Sequence, residues 1–161
     1  MKKKSAPTAA RTSTPAEITI TVNQFKDVLS PEAGDPGTRC GMHMKRRHRH
    51  VTVKDNTILV WKPGATIRFT IVPAPGDKEK YYPAGITYVR EGATSTSDRQ
   101  RLGLLNFPQG RTRVDGQTLT FTDSYRDKAK KIRYKFSVLI QRGSDGKIGL
   151  IDPDIVHEDE H

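Results

Sequence analysis

A single cysteine, Cys40, among 161 residues excludes an intrachain disulfide, and a lone thiol fits a reducing compartment. No apolar run approaches the ~18 residues of a membrane-spanning helix. The N-terminal Met1, Lys2, Lys3 and Lys4 have the charge of a signal-peptide n-region, but residues 5–14 place no apolar stretch behind them. A cytoplasmic chain is therefore expected. Leucine is scarce, at 8 residues against 21 Ile plus Val, and Thr adds 17. That bias suits half-buried pleated surfaces rather than helices. No stretch of about ten residues repeats its apolar side chains with a 3.6-residue period. Catalytic signatures are missing too: no Gly-x-Ser-x-Gly, P-loop, His-Glu-x-x-His or dinucleotide fingerprint. No carboxylate pair stands out for acid–base work, with Asp98 and Asp123 far apart along the chain. The expectation is a protein that is not an enzyme.

Period-2 alternation is abundant. Ile18, Ile20 and Val22 alternate with Thr19 and Thr21, and Ile67, Phe69 and Ile71 share one face of a second strand. Further strands are expected at residues 51–53, 57–61, 82–89, 118–123, 132–140 and 147–151, with Asp55-Asn56 as a tight turn. Asp152-Pro153 is expected to end the last of these, because proline has no N–H for a ladder. Residues 102–107 form an apolar patch, either strand or one helical turn. The pattern predicts an all-β fold, a single immunoglobulin-like β-sandwich of seven to nine short antiparallel strands. A small barrel is the alternative. Residues 1–16 read as a disordered basic arm, 17–156 as the sandwich and 157–161 as an acidic tail.

The runs LTFTD (119–123), YKFSVLI (134–140) and GKIGLIDPDI (146–155) resemble the C-terminal end of the small bacterial DP-EP-type proteins. In that pattern a strand ending in Asp leads into a Tyr-bearing strand and closes on Asp-Pro-x-Ile. Here the closing element is Asp152, Pro153, Asp154 and Ile155, followed by His157-Glu-Asp-Glu without a further proline. The resemblance covers roughly the last 40 residues. It implies a β-sandwich of unassigned function.

Charge is uneven. The net charge is +10, yet residues 152–160 hold five acids and no Lys or Arg, leaving residues 1–151 at +15. Such a field attracts nucleic acid or other polyanions. Its centre is residues 40–50, CGMHMKRRHRH, which hold the only cysteine, two of three methionines and three of five histidines. Arg39, Lys45, Arg46, Arg47, Arg49 and Lys54 fall within 16 residues with no acid among them, a candidate anion-binding set. If that stretch is extended, Lys45, Arg47 and Arg49 share one face, and Arg46, His48 and His50 the other. Without neighbouring aromatics or amides, sequence-independent binding is the most the block supports.

Cys40, Met42, His43, Met44, His48 and His50 form the competing soft-metal set, whose thiolate, thioether and imidazole donors suit copper or zinc. The cations beside Cys40 would lower its thiol pKa. Gly37 and Gly41, however, place it in an expected loop over residues 30–41, leaving the Cys end of the block mobile and the His/Arg end ordered. The expected role is a non-catalytic binding or accessory module for an anionic partner. Copper or zinc binding, and a structural or self-assembling role through exposed sheet edges, are the alternatives. The acidic tail is a further candidate, as an intramolecular mimic of the anion.

Overall fold

The computed structural model describes residues 14–29, 37–92, 95, 107, 112–124, 132–152 and 154–157. These residues are all β, without helix. The strands are β1 (Ala16–Gln24), β2 (Arg39–Met44), β3 (Val51–Lys54), β4 (Thr57–Val60), β5 (Ala65–Pro73) and β6 (Tyr81–Arg90). They continue as β7 (Arg113–Asp115), β8 (Thr118–Asp123), β9 (Arg133–Arg142), β10 (Ile148–Ile151) and β11 (Asp154–His157). Among the described residues eleven strands replace the expected seven to nine. Residues 1–13 of the expected 1–16 arm, most of residues 93–111 and the tail beyond His157 lie outside the described residues, while Ala16, at the end of the expected arm, already begins β1. Phe107 is the one described member of the 102–107 patch, and it is buried.

Two sheets pack face to face as a β-sandwich. The first has the order β2-β1-β5-β8-β7. In the second, β9 lies between β6 on one side and β10 and β11 on the other, and β11 leads on to β4 and β3. Both are mixed rather than purely antiparallel, because β1 runs parallel to β5 and β4 parallel to β11. The alternation read from sequence decides which side chains face inward. Ile18, Ile20 and Val22 of β1 and Ile67, Phe69 and Ile71 of β5 are buried, while Thr19, Thr21, Arg68 and Thr70 face out. Aromatic rings join the layers, with Phe69 stacked on Phe136 at 5.5 Å between centroids and Phe107 on Tyr88 at 4.3 Å. Such pairs add about 0.5–1.5 kcal/mol each beyond their buried area.

β10 ends at Ile151, before Asp152-Pro153 as expected, but pairing with β9 resumes at Asp154. Ile148 pairs with Gln141, Ile151 with Val138, Asp154 with Lys135 and Val156 with Arg133. The antiparallel register along β9 is therefore the same on both sides of the interruption, so β10 and β11 are two halves of one interrupted strand. As a consequence His157, expected in a frayed tail, lies in β11.

Asp55 and Asn56 both have positive φ, at 49° and 58°. They make the expected two-residue turn between β3 and β4, whose twist matches that of the strands. The Asn56 side chain then reaches the other sheet. Its Oδ1 accepts from the Met42 N–H at 2.9 Å and its Nδ2 donates to the Cys40 carbonyl at 3.2 Å. These bonds occupy polar groups on the outer edge of β2 that would otherwise invite pairing with another chain.

Candidate anion-binding cleft

β2 is the edge of one sheet and β3 the edge of the other, so residues 45–50 cross the open side of the sandwich. They are not extended. The chain bends after Met44 and again before Val51, and the expected two-faced display of Lys45–His50 is absent. The order of the block is the reverse of the expectation. Its Cys40–Met44 end is strand, paired to β1 from Val22↔Cys40 to Ile18↔Met44. Its cationic end is the bent connection. Alternating Cys40, Met42 and Met44 supply an inward face, whereas the run of Arg and His offers no apolar alternate to bury.

His48 ties this connection down. The His50 N–H donates to His48 Nδ1 at 3.2 Å, and His48 Nε2 lies 3.1 Å from the Thr14 carbonyl oxygen. A carbonyl only accepts, so the network assigns the neutral imidazole with its proton on Nε2. On the other side the Trp61 N–H donates to the His50 carbonyl at 3.0 Å. The connection is thus pinned to the segment entering β1 and to the residue leaving β4. The only tryptophan in the chain, Trp61, thus sits beside the block.

Between this connection and the outer face of β1 and β5 lies a cleft of about 850 Å³. Lys45, Arg46, Arg47 and Arg49 line one wall, and all four are exposed. The floor includes the cross-strand pair Thr19 and Thr70. Among the described residues the cleft is lined by one acid, Glu17, and its Oε1 is 3.0 Å from Arg68 Nη1. Arg68 also donates through Nε to Thr120 Oγ1 at 3.3 Å. Four cations on one concave wall concentrate a positive potential that water screens less than on an open surface.

Two of the six candidate anion contacts do not join it. Arg39 begins β2, about 17 Å from Met44 at ~3.4 Å per residue, and Lys54 sits at the far end of β3 beside the Asp55–Asn56 turn. The soft-metal set is also divided. Met42 is 8% exposed, and Cys40 and Met44 pack against the core. His43 faces the opposite, exposed side of β2, and His48 and His50 belong to the connection. Among the described residues no three His, Cys, Asp or Glu side chains are grouped to hold a metal ion.

Burial, with a smaller contribution from the Asp152 charge, pushes the Cys40 thiol up to about 11, the opposite of the lowering expected from its cationic neighbours. Cys40 should therefore react with a disulfide reagent about a hundred times more slowly than a free thiol at neutral pH. Its rate should keep climbing as the pH is raised toward 11. Stopped-flow labelling across pH checks this, and a rate that levels off near pH 8–9 would show an ordinary thiol.

Sequence reasoning missed one buried pair. His157 Nε2 is 2.8 Å from Asp123 Oδ2, with both side chains 0% exposed. Tyr134 packs on the imidazole at 4.8 Å between centroids. Burial first, and then the Asp123 charge, drive the nearby Tyr88 hydroxyl well above its ordinary pKa. The signal was parity. Asp123 shares the inward face with Leu119 and Phe121, and His157 shares one with Ile155. The chain matches no family model and no curated protein.

Proposed function

We propose that this protein is a non-catalytic binding or accessory module that takes a polyanion in the cleft between residues 45–50 and strands β1 and β5. One observation carries the reading: four exposed cations share one wall, and the single carboxylate in the lining is already held by Arg68. Lys45, Arg46, Arg47 and Arg49 meet the phosphates or equivalent groups. Arg guanidinium forks give bidentate hydrogen bonds, and release of counterions adds affinity. The hydroxyls of Thr19 and Thr70 supply uncharged contacts to the same backbone. Contacts of this kind position a chain without reading its sequence. No helix among the described residues is long and apolar enough to cross a membrane, and the lone thiol fits a reducing, cytoplasmic setting.

The test is fluorescence anisotropy with a labelled single-stranded DNA 20-mer at several salt concentrations. Four contacts predict a slope of log K against log salt of about −2.8. Changing Lys45, Arg46, Arg47 and Arg49 together to Ser should abolish most of the binding and flatten the slope. Changing Arg39 and Lys54 to Ser removes two cations outside the cleft and should leave the slope nearly intact. Equal losses in the two variants would mean that net charge, not the cleft, does the binding. Trp61 emission offers an unlabelled readout, since its backbone is bonded to His50 of the cleft.

A further inference from the structure

We propose that Glu17 makes the cleft selective for a ribose-bearing polyanion, so that its partner is RNA rather than DNA. The inference rests on the polyanion reading and concerns the one acid among the described lining residues, Glu17. A carboxylate in a cleft that binds anions repels them, by about 1 kcal/mol at 4 Å even in a water-like medium. It contributes to binding only if the ligand brings a hydrogen-bond donor. Phosphodiesters have none, and the donors on base edges change with sequence, whereas a ribose 2′-hydroxyl offers the same donor at every nucleotide. That hydroxyl is the group by which proteins distinguish RNA from DNA.

The surroundings of Glu17 suit an acceptor. It stands opposite Arg68 across the parallel β1–β5 pair, next to the Thr19–Thr70 pair. Arg68 Nη1 holds Oε1 at 3.0 Å and is itself anchored to Thr120 on the next strand. One oxygen is therefore oriented and part of the charge offset, while the carboxylate keeps lone pairs for another donor. The cationic wall argues for a chain rather than a single sugar phosphate, because Lys45, Arg46, Arg47 and Arg49 are more donors than one phosphate can engage. Among hydroxyl-bearing polyanions, sulfated glycans belong outside the cell, where disulfides are usual. A chain whose one thiol is unpaired and half-buried fits the compartment of RNA.

The experiment compares 12-mers of identical sequence in RNA and DNA, with heparin as a third ligand, by anisotropy at fixed salt. The wild-type protein should bind RNA about tenfold more tightly than DNA, near the lower end of the value of one hydrogen bond to a charged acceptor. Glu17→Ala should erase that preference by tightening DNA binding, since a negative charge leaves and Arg68 is released, while RNA loses its partner. Glu17→Gln keeps a carbonyl acceptor without the charge and should retain part of the preference. The Glu17–Arg68 pair is about 40% exposed on each side (38% and 41%), so both variants should fold with little change in Tm. Equal wild-type affinity for RNA and DNA, or a preference that survives Glu17→Ala, overturns the assignment, as does heparin binding more tightly than RNA. If the variant with Lys45, Arg46, Arg47 and Arg49 changed to Ser binds all three ligands as the wild type does, the polyanion reading itself falls. Loss of binding in that variant alongside equal RNA and DNA affinity would remove only the role of Glu17.

Discussion

Replacing His157 with alanine is expected to destabilise the fold by about 3–5 kcal/mol, the usual cost of removing one partner from a buried pair. The imidazole is wholly enclosed, 2.8 Å from the Asp123 carboxylate and packed against Tyr134. Its loss leaves a carboxylate in the core and an unfilled volume beside Tyr134 and Phe107. Neither can be cheaply rehydrated in the space between two sheets. Asp123→Ala should cost a similar amount. Asp123→Asn should cost less, because its carbonyl can still accept from Nε2–H and its shape is kept. In thermal unfolding the alanine variants should lose roughly 10 °C in Tm. A truncation after Val156 should reproduce the loss, since it removes the same side chain. If His157→Ala melts with the wild type, the pair contributes nothing to stability.

Gly149→Ala is the second large effect, expected at about 1–3 kcal/mol from overpacking. A Cβ at this position in β10 would lie 2.7 Å from Phe25 Cε2 and 2.8 Å from Thr38 Oγ1. Neither neighbour can step aside. Phe25 is stacked on Tyr81 at 5.7 Å, and the Arg142 guanidinium lies over its ring at 4.4 Å. Thr38 Oγ1 is bonded to both the N–H and the carbonyl of Lys26. The Val28 N–H donates to the Ile148 carbonyl at 2.8 Å, holding the whole segment against β10. The prediction is checked by a double-mutant cycle. In a Phe25→Ala background the ring is gone, and the penalty of Gly149→Ala should shrink by more than about 0.5 kcal/mol. Strictly additive losses would place the strain elsewhere.

Strand positions were legible because side-chain alternation is a local property. Each residue of β1, β5, β8 and β9 shows its face through its neighbours two positions away, with no knowledge of the partner strand. Composition misled where it substituted for pattern. Gly37 and Gly41 suggested a loop around Cys40, yet Cys40, Met42 and Met44 alternate with Gly41 and His43, and Gly41 fits a strand whose neighbour is β1. The histidines read as possible ligands by residue type, but His48 spends both ring nitrogens on backbone atoms. Part of the buried pair was visible as parity. Asp123 fell within an expected strand without its inward side being counted as core, and His157 fell in the expected acidic tail.

Residue type and order alone establish that this chain is all β, that its positive charge gathers in residues 39–54 and that its one thiol has no intrachain partner. They could not say which strands pair in parallel, because the choice of β5 for β1 and of β11 for β4 depends on contacts between distant segments. They also could not divide the six cations of the block. Four of them line a cleft because the connection bends and is pinned at Thr14 and Trp61, while Arg39 and Lys54 sit at the other end of their strands. Glu17 and Arg68, 51 residues apart, face each other only through the β1–β5 register, as Asp123 and His157 do only because two sheets close over them. Alternation is written into every two or three residues. The identity of the side chain across the gap depends on how the sheets are ordered and packed.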